Sequence, residues 1–247
     1  MCKKNFKYIL LSFSLCLSCV AAYADSLGLG ASWSNSPYKG YGGQLEPLPQ
    51  IDLDNGRFFI DDLSIGAYLL KTDKQEITLD ISYLPQQFKP TDTNNAKLKK
   101  LDKRHPTAIA ELGYSLNTSV GNLSASIGGD VLNNSNSVIM DVSYNIAFSK
   151  NNWTVLQSIG LGWANSNHND YYYGISQQEA KRSDLPAYQA NSSFTPYASV
   201  TGSYKITKHI NGLAGIRIDK LTGDVKNSPM TEHSVIPSAF AGINYQF

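Results

Sequence analysis

Cysteine is nearly missing from this chain. The three present, Cys2, Cys16 and Cys19, all sit near its beginning, so the remainder offers no disulfide framework and no cysteine metal site. Long apolar runs are equally scarce. One short run, residues 8–20, follows Lys3, Lys4 and Lys7 and precedes Ala22-Tyr23-Ala24, a small-x-small cleavage pattern. That is the layout of an export signal, and it is too short for a permanent membrane helix. Residues 1–24 therefore read as a signal peptide and 25–247 as one mature domain. Cys16 stands where a lipoprotein signal carries Leu, which argues against Cys19 as a lipid anchor.

An excess of positive charge is also lacking. Losing Lys3, Lys4 and Lys7 takes the formal charge from +1 to −2. Nucleic acid, which calls for a basic surface, is excluded as a partner. No spacing among His105, His168, His209 and His233 suggests a metal site, and nothing in the sequence calls for a cofactor.

What is abundant is alternation. In the last stretch Phe247, Tyr245, Ile243, Ala241 and Ala239 share one side, and Gln246, Asn244, Gly242 and Ser238 the other. Successive side chains of a strand point to opposite faces, so this is one greasy and one wet face. The same pattern recurs along the chain. Leu27, Leu29, Ala31 and Trp33 oppose Gly28, Gly30 and Ser32; Ala108 to Leu116 oppose Glu111, Gly113 and Ser115. Val138 to Phe148 oppose Asp141, Ser143 and Asn145, and Gln157 breaks the apolar side of the strand that follows. Asp54-Asn55-Gly56 marks a hairpin between 48–53 and 57–60.

Two features favour a membrane barrel over a soluble sandwich. The strands run about ten residues, the length a tilted strand needs to cross a bilayer. The connections also alternate in length. Short turns at 119–121, 150–152 and 206–208 separate longer loops at 85–104, 133–136, 165–193 and 222–233. The expected fold is an all-β, antiparallel transmembrane β-barrel. It has twelve strands if 57–60 and 63–70 are separate, broken at Asp61-Asp62. It has ten if the 48–60 hairpin folds outside the wall.

Candidate functional residues follow from the wet faces and the loops. Asp80, Glu111, Asp130 and Asp141, set against Arg217 with Asp219, are candidates to line the lumen. An open lumen with that lining prefers cations; a narrow one is filled by the same groups, paired with Arg217 and water. Tyr171-Tyr172-Tyr173 is a candidate interaction platform, or equally ring packing that folds the long loop down. His168-Asn169-Asp170 has the groups of a general base but no evident nucleophile, so it reads as solvated loop and no catalytic residue is assigned. The lysines of 97–104 have lipopolysaccharide phosphates as one candidate contact and plain solvation as the other.

Ser36-Pro37-Tyr38-Lys39-Gly40, then Pro47-Leu48-Pro49 and Gly56-Arg57-Phe58-Phe59-Ile60, resemble the N-terminal signature of the MipA/OmpV outer-membrane proteins. Tyr171-Tyr172-Tyr173-Gly174-Ile175-Ser176, Glu179-Ala180 and Leu185-Pro186-Ala187-Tyr188 are similar to that family's central loop. Where the family often carries Asp-Ser-Pro, this chain has Asn227-Ser228-Pro229. The resemblance covers essentially the whole mature chain. It implies an outer-membrane barrel without known catalytic chemistry, not an enzyme. Members are described as scaffolds joining a murein lytic transglycosylase to a murein synthase, and others as surface or uptake proteins. The leading expectation is a scaffold or interaction protein for cell-wall enzymes, set among outer-membrane lipid and lipopolysaccharide. A small-solute, porin-like channel or a surface-exposed interaction protein is the alternative.

Overall fold

The computed structural model describes residues 25–247. The export-signal expectation falls on 1–24, outside the described residues. Twelve antiparallel strands close into one barrel. The first five are β1 (Ser26–Ser34), β2 (Gln44–Asp54), β3 (Phe58–Asp61), β4 (Ser64–Lys71) and β5 (Gln75–Leu84). Next come β6 (Thr107–Thr118), β7 (Gly121–Asp130), β8 (Val138–Lys150) and β9 (Trp153–Ala164). The ring ends with β10 (Ser193–Lys205), β11 (Ile210–Lys220) and β12 (Val235–Gln246). Strand β12 pairs with β1 from Ser26↔Gln246 to Ser34↔Ser238, so no edge is left at the seam.

The alternation places grease on the outside. Leu29 is 63% exposed, and Ile65, Ile159, Ile216 and Ile243 project outward in the same way. Inward positions carry glycine, serine and acids. This is the reverse of a soluble sandwich, where two apolar faces meet each other. Gln157, the exception in the pattern, pairs with Val200 and Ile146 and stays on the outward face.

Both strands in question belong to the wall, so the twelve-strand count holds. Strand β3 pairs with β4 from Phe58↔Ala67 to Asp61↔Ser64, and the break falls at Asp62, whose φ is +48°. With β2, however, β3 pairs only at Asp52, Leu53 and Asp54. Apart from the tight β3–β4 turn at Asp62, the short turns lie at one end of the barrel. Asn55 Oδ1 accepts the N–H groups of Arg57 and Phe58 there, and Gly56 takes the positive φ the turn requires.

Three inward rings lie directly over glycines on the neighbouring strand: Phe59 over Gly66, Tyr197 over Gly160 and Phe240 over Gly215. A Cβ on any of these glycines would collide with the ring. The missing side chain makes room for an aromatic that fills the lumen side of two strands at once.

Candidate functional site

At the other end, four connections build a second structure. They are residues 35–43, 85–106, 165–192 and 221–234. The first three leave the ring after β1, β5 and β9, at points four strands apart, so any contact among them crosses the opening. They meet in the apolar core of the molecule, which includes Tyr38, Phe88, Leu98, Tyr172, Tyr173, Val225 and Met230. Tyr38 meets Phe88 edge-to-face at 5.0 Å between ring centres and packs at a tilt on Tyr173 at 5.5 Å. The barrel's conventional, water-excluding core is thus a lid over its mouth.

Polar contacts lock the lid. Tyr38 OH donates to Tyr172 O (3.2 Å), and Tyr172 OH donates to His105 O (3.0 Å). Thr93 Oγ1 donates to Lys39 O (2.6 Å), and Ser228 Oγ donates to Tyr173 O (2.6 Å). The serine of Asn227-Ser228-Pro229 does the tying, while Asn227 is exposed. Helix α1 (Ser166–Tyr173) starts where Asn165 accepts the N–H of His168 at 3.0 Å. Helix α2 (Gln177–Ser183) carries a capping box between Ser176 and Glu179. A shorter helix, α3 (Gly223–Asn227), precedes Ser228.

Glu179 also works beyond its own helix. Its Oε1 accepts Asp102 N–H (2.9 Å) and Arg104 Nη2 (2.9 Å), and Arg104 in turn donates to Gly174 O. Both side chains of this ion pair are buried. Burial alone would raise the Glu179 pKa. The N–H donors of Ser176 and Asp102 and the Arg104 guanidinium outweigh it and hold the carboxyl below its usual range. The basic loop is drawn in as well: Lys97 Nζ reaches Asp184 (2.8 Å) and Arg182 reaches Asp102 (2.6 Å).

The tyrosine run divides by position. Tyr172 is 0% exposed and Tyr173 is buried, so both pack. Tyr171 stays half-exposed and accepts His105 N–H (2.8 Å). It lines an outward-opening cavity of about 780 Å³ together with Asp170, Gln177 and Tyr188.

His168 is not a solvated loop residue. It is buried, with Nδ1 2.8 Å from Ser137 Oγ. A serine touching a neutral imidazole is the beginning of a nucleophile arrangement. Here Ser137 is only 2% exposed, and the carboxylate nearby, Asp130, bonds to Ser135 rather than to the ring. The network ties the 131–137 connection to α1. Burial pushes the His168 pKa down to about 4, against an ordinary 6.5. The native state then binds fewer protons than the unfolded one between those values, so lid stability falls as pH drops through 6.5. The loss reaches about 2 kcal/mol by pH 5 and levels off below 4. Amide exchange of 165–192, corrected for intrinsic rates, is expected to accelerate between pH 7 and 5, and His168→Phe to abolish that dependence. Equal protection at both values would rule out a buried neutral ring.

The wall residues separate by height. Asp80 and Glu111 sit on directly paired inward positions of β5 and β6. Asp141 Oδ1 accepts Tyr197 OH (2.9 Å). The Arg217 guanidinium lies 3.6 Å from the Tyr197 ring centre and forks onto Asp219 at 2.8–3.0 Å. Asp130 stands at the lid end of β7, where its carboxylate accepts the N–H groups of Leu132, Ser135 and Asn136. It organises that connection rather than facing the middle of the lumen.

The chain is similar to known proteins over nearly all of its described length. The family described as MltA-interacting protein MipA matches residues 27–247. The MltA-interacting protein of Escherichia coli K12 is 31% identical over 98% of this chain and 99% of its own. The putative outer membrane protein YiaT of the same strain is 31% identical over 90% of each chain. Among solved structures, a bacterial polysaccharide outer membrane secretin aligns at TM-score 0.45 and 9% identity, over 92% of this chain and 100% of that one. The Pseudomonas putida toluene transporter TodX aligns at 0.39 and 12%, over 92% and 90%.

Proposed function

Because the chain belongs to the MltA-interacting protein MipA family and forms an outer-membrane barrel, we propose that it is an interaction protein for murein enzymes. In this reading it holds a lytic transglycosylase, and with it a murein synthase, at the periplasmic end. The observation that carries this reading is the asymmetry of the two ends. A cored lid crosses the outer mouth, whereas the inner end offers only short turns close to the wall. Two of those turns present apolar tips to water, Val120 at 69% and Ile206 at 54% exposure. Exposed Lys150, Lys205 and Lys208 lie in or beside the neighbouring turns. Apolar tips beside a charged rim suit a protein partner better than free solvent.

Purified barrel in detergent should bind a purified lytic transglycosylase by surface interferometry. Val120→Asp with Ile206→Asp is expected to weaken binding at least about tenfold. Lys99→Glu on the outer lid should leave it unchanged. If the lid variant weakens binding and the turn variant does not, docking lies at the wrong end for this function. Exposed Lys99, Lys100 and Lys103 suit the phosphates of lipopolysaccharide, a separate contact of the outer face. The channel reading draws on the acidic inner wall, and conductance distinguishes it.

A further inference from the structure

Strand β2 outruns its neighbour on one side. Against β1 it is paired along nearly its full length, from Ser26↔Asp52 to Ser34↔Gln44. Against β3 the ladder ends at Asp62, whose N–H donates to Ile51 O (2.7 Å) and whose Oδ1 accepts Ile51 N–H (3.1 Å). Ile51 therefore turns its backbone groups toward β3, and by strand period so do Leu45, Pro47 and Pro49. No strand pairs with that edge above Ile51 among the described residues. Two of its three remaining positions are prolines, which have no N–H to offer a strand. The gap lies on the lid side of the β3–β4 hairpin, hence in the outer half of the bilayer. The prolines keep it from being filled by another strand.

The two faces of this gap differ. Outward, Leu45 is 74% exposed, and Pro47, Pro49 and Ile65 continue an apolar rim. Inward, β2 carries Gln44, Glu46, Leu48 and Gln50, and β3 adds Asp61. Gln44 Oε1 and Gln50 Oε1 are buried and receive no hydrogen bond. Buried acceptors without donors are uncommon and call for an occupant that brings donors. Open-edge carbonyls at membrane depth make the same demand, because they are tolerated only beside protein, water or a polar guest. No base lies on the inward face of β2 or β3, so an anionic head is repelled and an ammonium, with three donors, is matched. With the mouth covered by the lid, the side of the barrel is the remaining outer route to the lumen.

We infer that the gap beside β2 is a lateral portal through which a single-chain amphiphile with a cationic amine head passes between the outer half of the bilayer and the lumen. The tail follows the apolar rim while the head reaches the glutamine and acid side chains within. The portal is independent of docking at the inner end, so either can fail without the other.

The test uses the mature chain in lipid nanodiscs with photoreactive benzoylphenylalanine at position 48, an inward residue of β2, or at Ser199, an inward residue of β10 that is paired on both sides. The probe is alkyne-tagged dodecylamine, with alkyne-tagged dodecanoate as comparison. Heat-shifted gel mobility certifies that each variant is folded. Ser32→benzoylphenylalanine, at the inward position of β1 paired with Glu46, replaces the position 48 variant if that one fails. Labelling by the amine at position 48 is expected at least tenfold above that at 199 and tenfold above labelling by the acid. Gln44→Leu with Gln50→Leu, added to the position 48 variant, should remove most of the preference for the amine. Equal labelling at 48 and 199 would overturn the portal. Equal labelling by amine and acid would overturn the head group.

Discussion

Purified protein in a planar bilayer is expected to hold no steady conductance at neutral pH. The reason is the lid, whose loops come from points around the ring and share one packed core. Breaking that core should open the barrel. Tyr172→Ala removes a fully buried ring that meets Tyr171 edge-on and His168 at a tilt, and whose hydroxyl reaches His105 O. Truncating a buried aromatic costs about 3–5 kcal/mol, enough to populate an open lid. The variant should conduct, and the current should favour cations. Its inward wall carries Asp61, Asp80, Glu111 and Asp141, while Lys71 and Arg217 are committed to Asp54 and Asp219. Steady conductance from the unaltered protein would show that the loops do not seal. Anion selectivity in the variant would show that the strand faces are reversed.

Glu179→Ala is expected to be the most damaging single change in the lid outside its aromatic core. It strands a buried guanidinium, undoes the capping box of α2 and orphans Asp102 N–H. Removing one partner of a buried pair typically costs about 3–5 kcal/mol. Amide exchange in 98–104 and 174–188 should accelerate by at least about a hundredfold, while the strands keep their protection. Arg104→Met with Glu179→Met, which removes both charges, should recover much of the loss. Unchanged exchange in the single variant would mean that the pair does not hold the lid.

Most of the wall was readable in the sequence, because a bilayer outside and a wet lumen inside enforce a strict period of two. Residues 138–148 and 235–247 give their facing almost residue by residue. Strand β2 was harder: its prolines argue against a strand with neighbours on both sides, and the expected start at Leu48 moved to Gln44. The prolines are tolerated because that edge meets no strand. The lid was less readable. Helix α1 has three tyrosines in a row and no apolar stripe, so its only local sign is Asn165 ahead of it. Its stability comes from loops far away in sequence. The burial of His168 depends on Ser137, and that of Arg104 on Glu179, and no spacing along the chain announces either partner. Conversely, Asp130 looked like its acidic neighbours in the pattern, but its place at a strand end gives it to a turn.

The three rings seated over glycines bear on how the barrel finds its alignment. A shift of one residue between strands turns grease inward and is rejected by the lipid at once. A shift of two keeps every face correct, and the bilayer cannot detect it. Such a slip would move Tyr197 from Gly160 onto Ser158 or Gly162, Phe240 from Gly215 onto Leu213 or Arg217, and Phe59 from Gly66 onto Ser64 or Tyr68. In five of those six arrangements the ring meets a side chain where it had empty space. Shape inside the cylinder thus checks an error that greasiness outside it passes over.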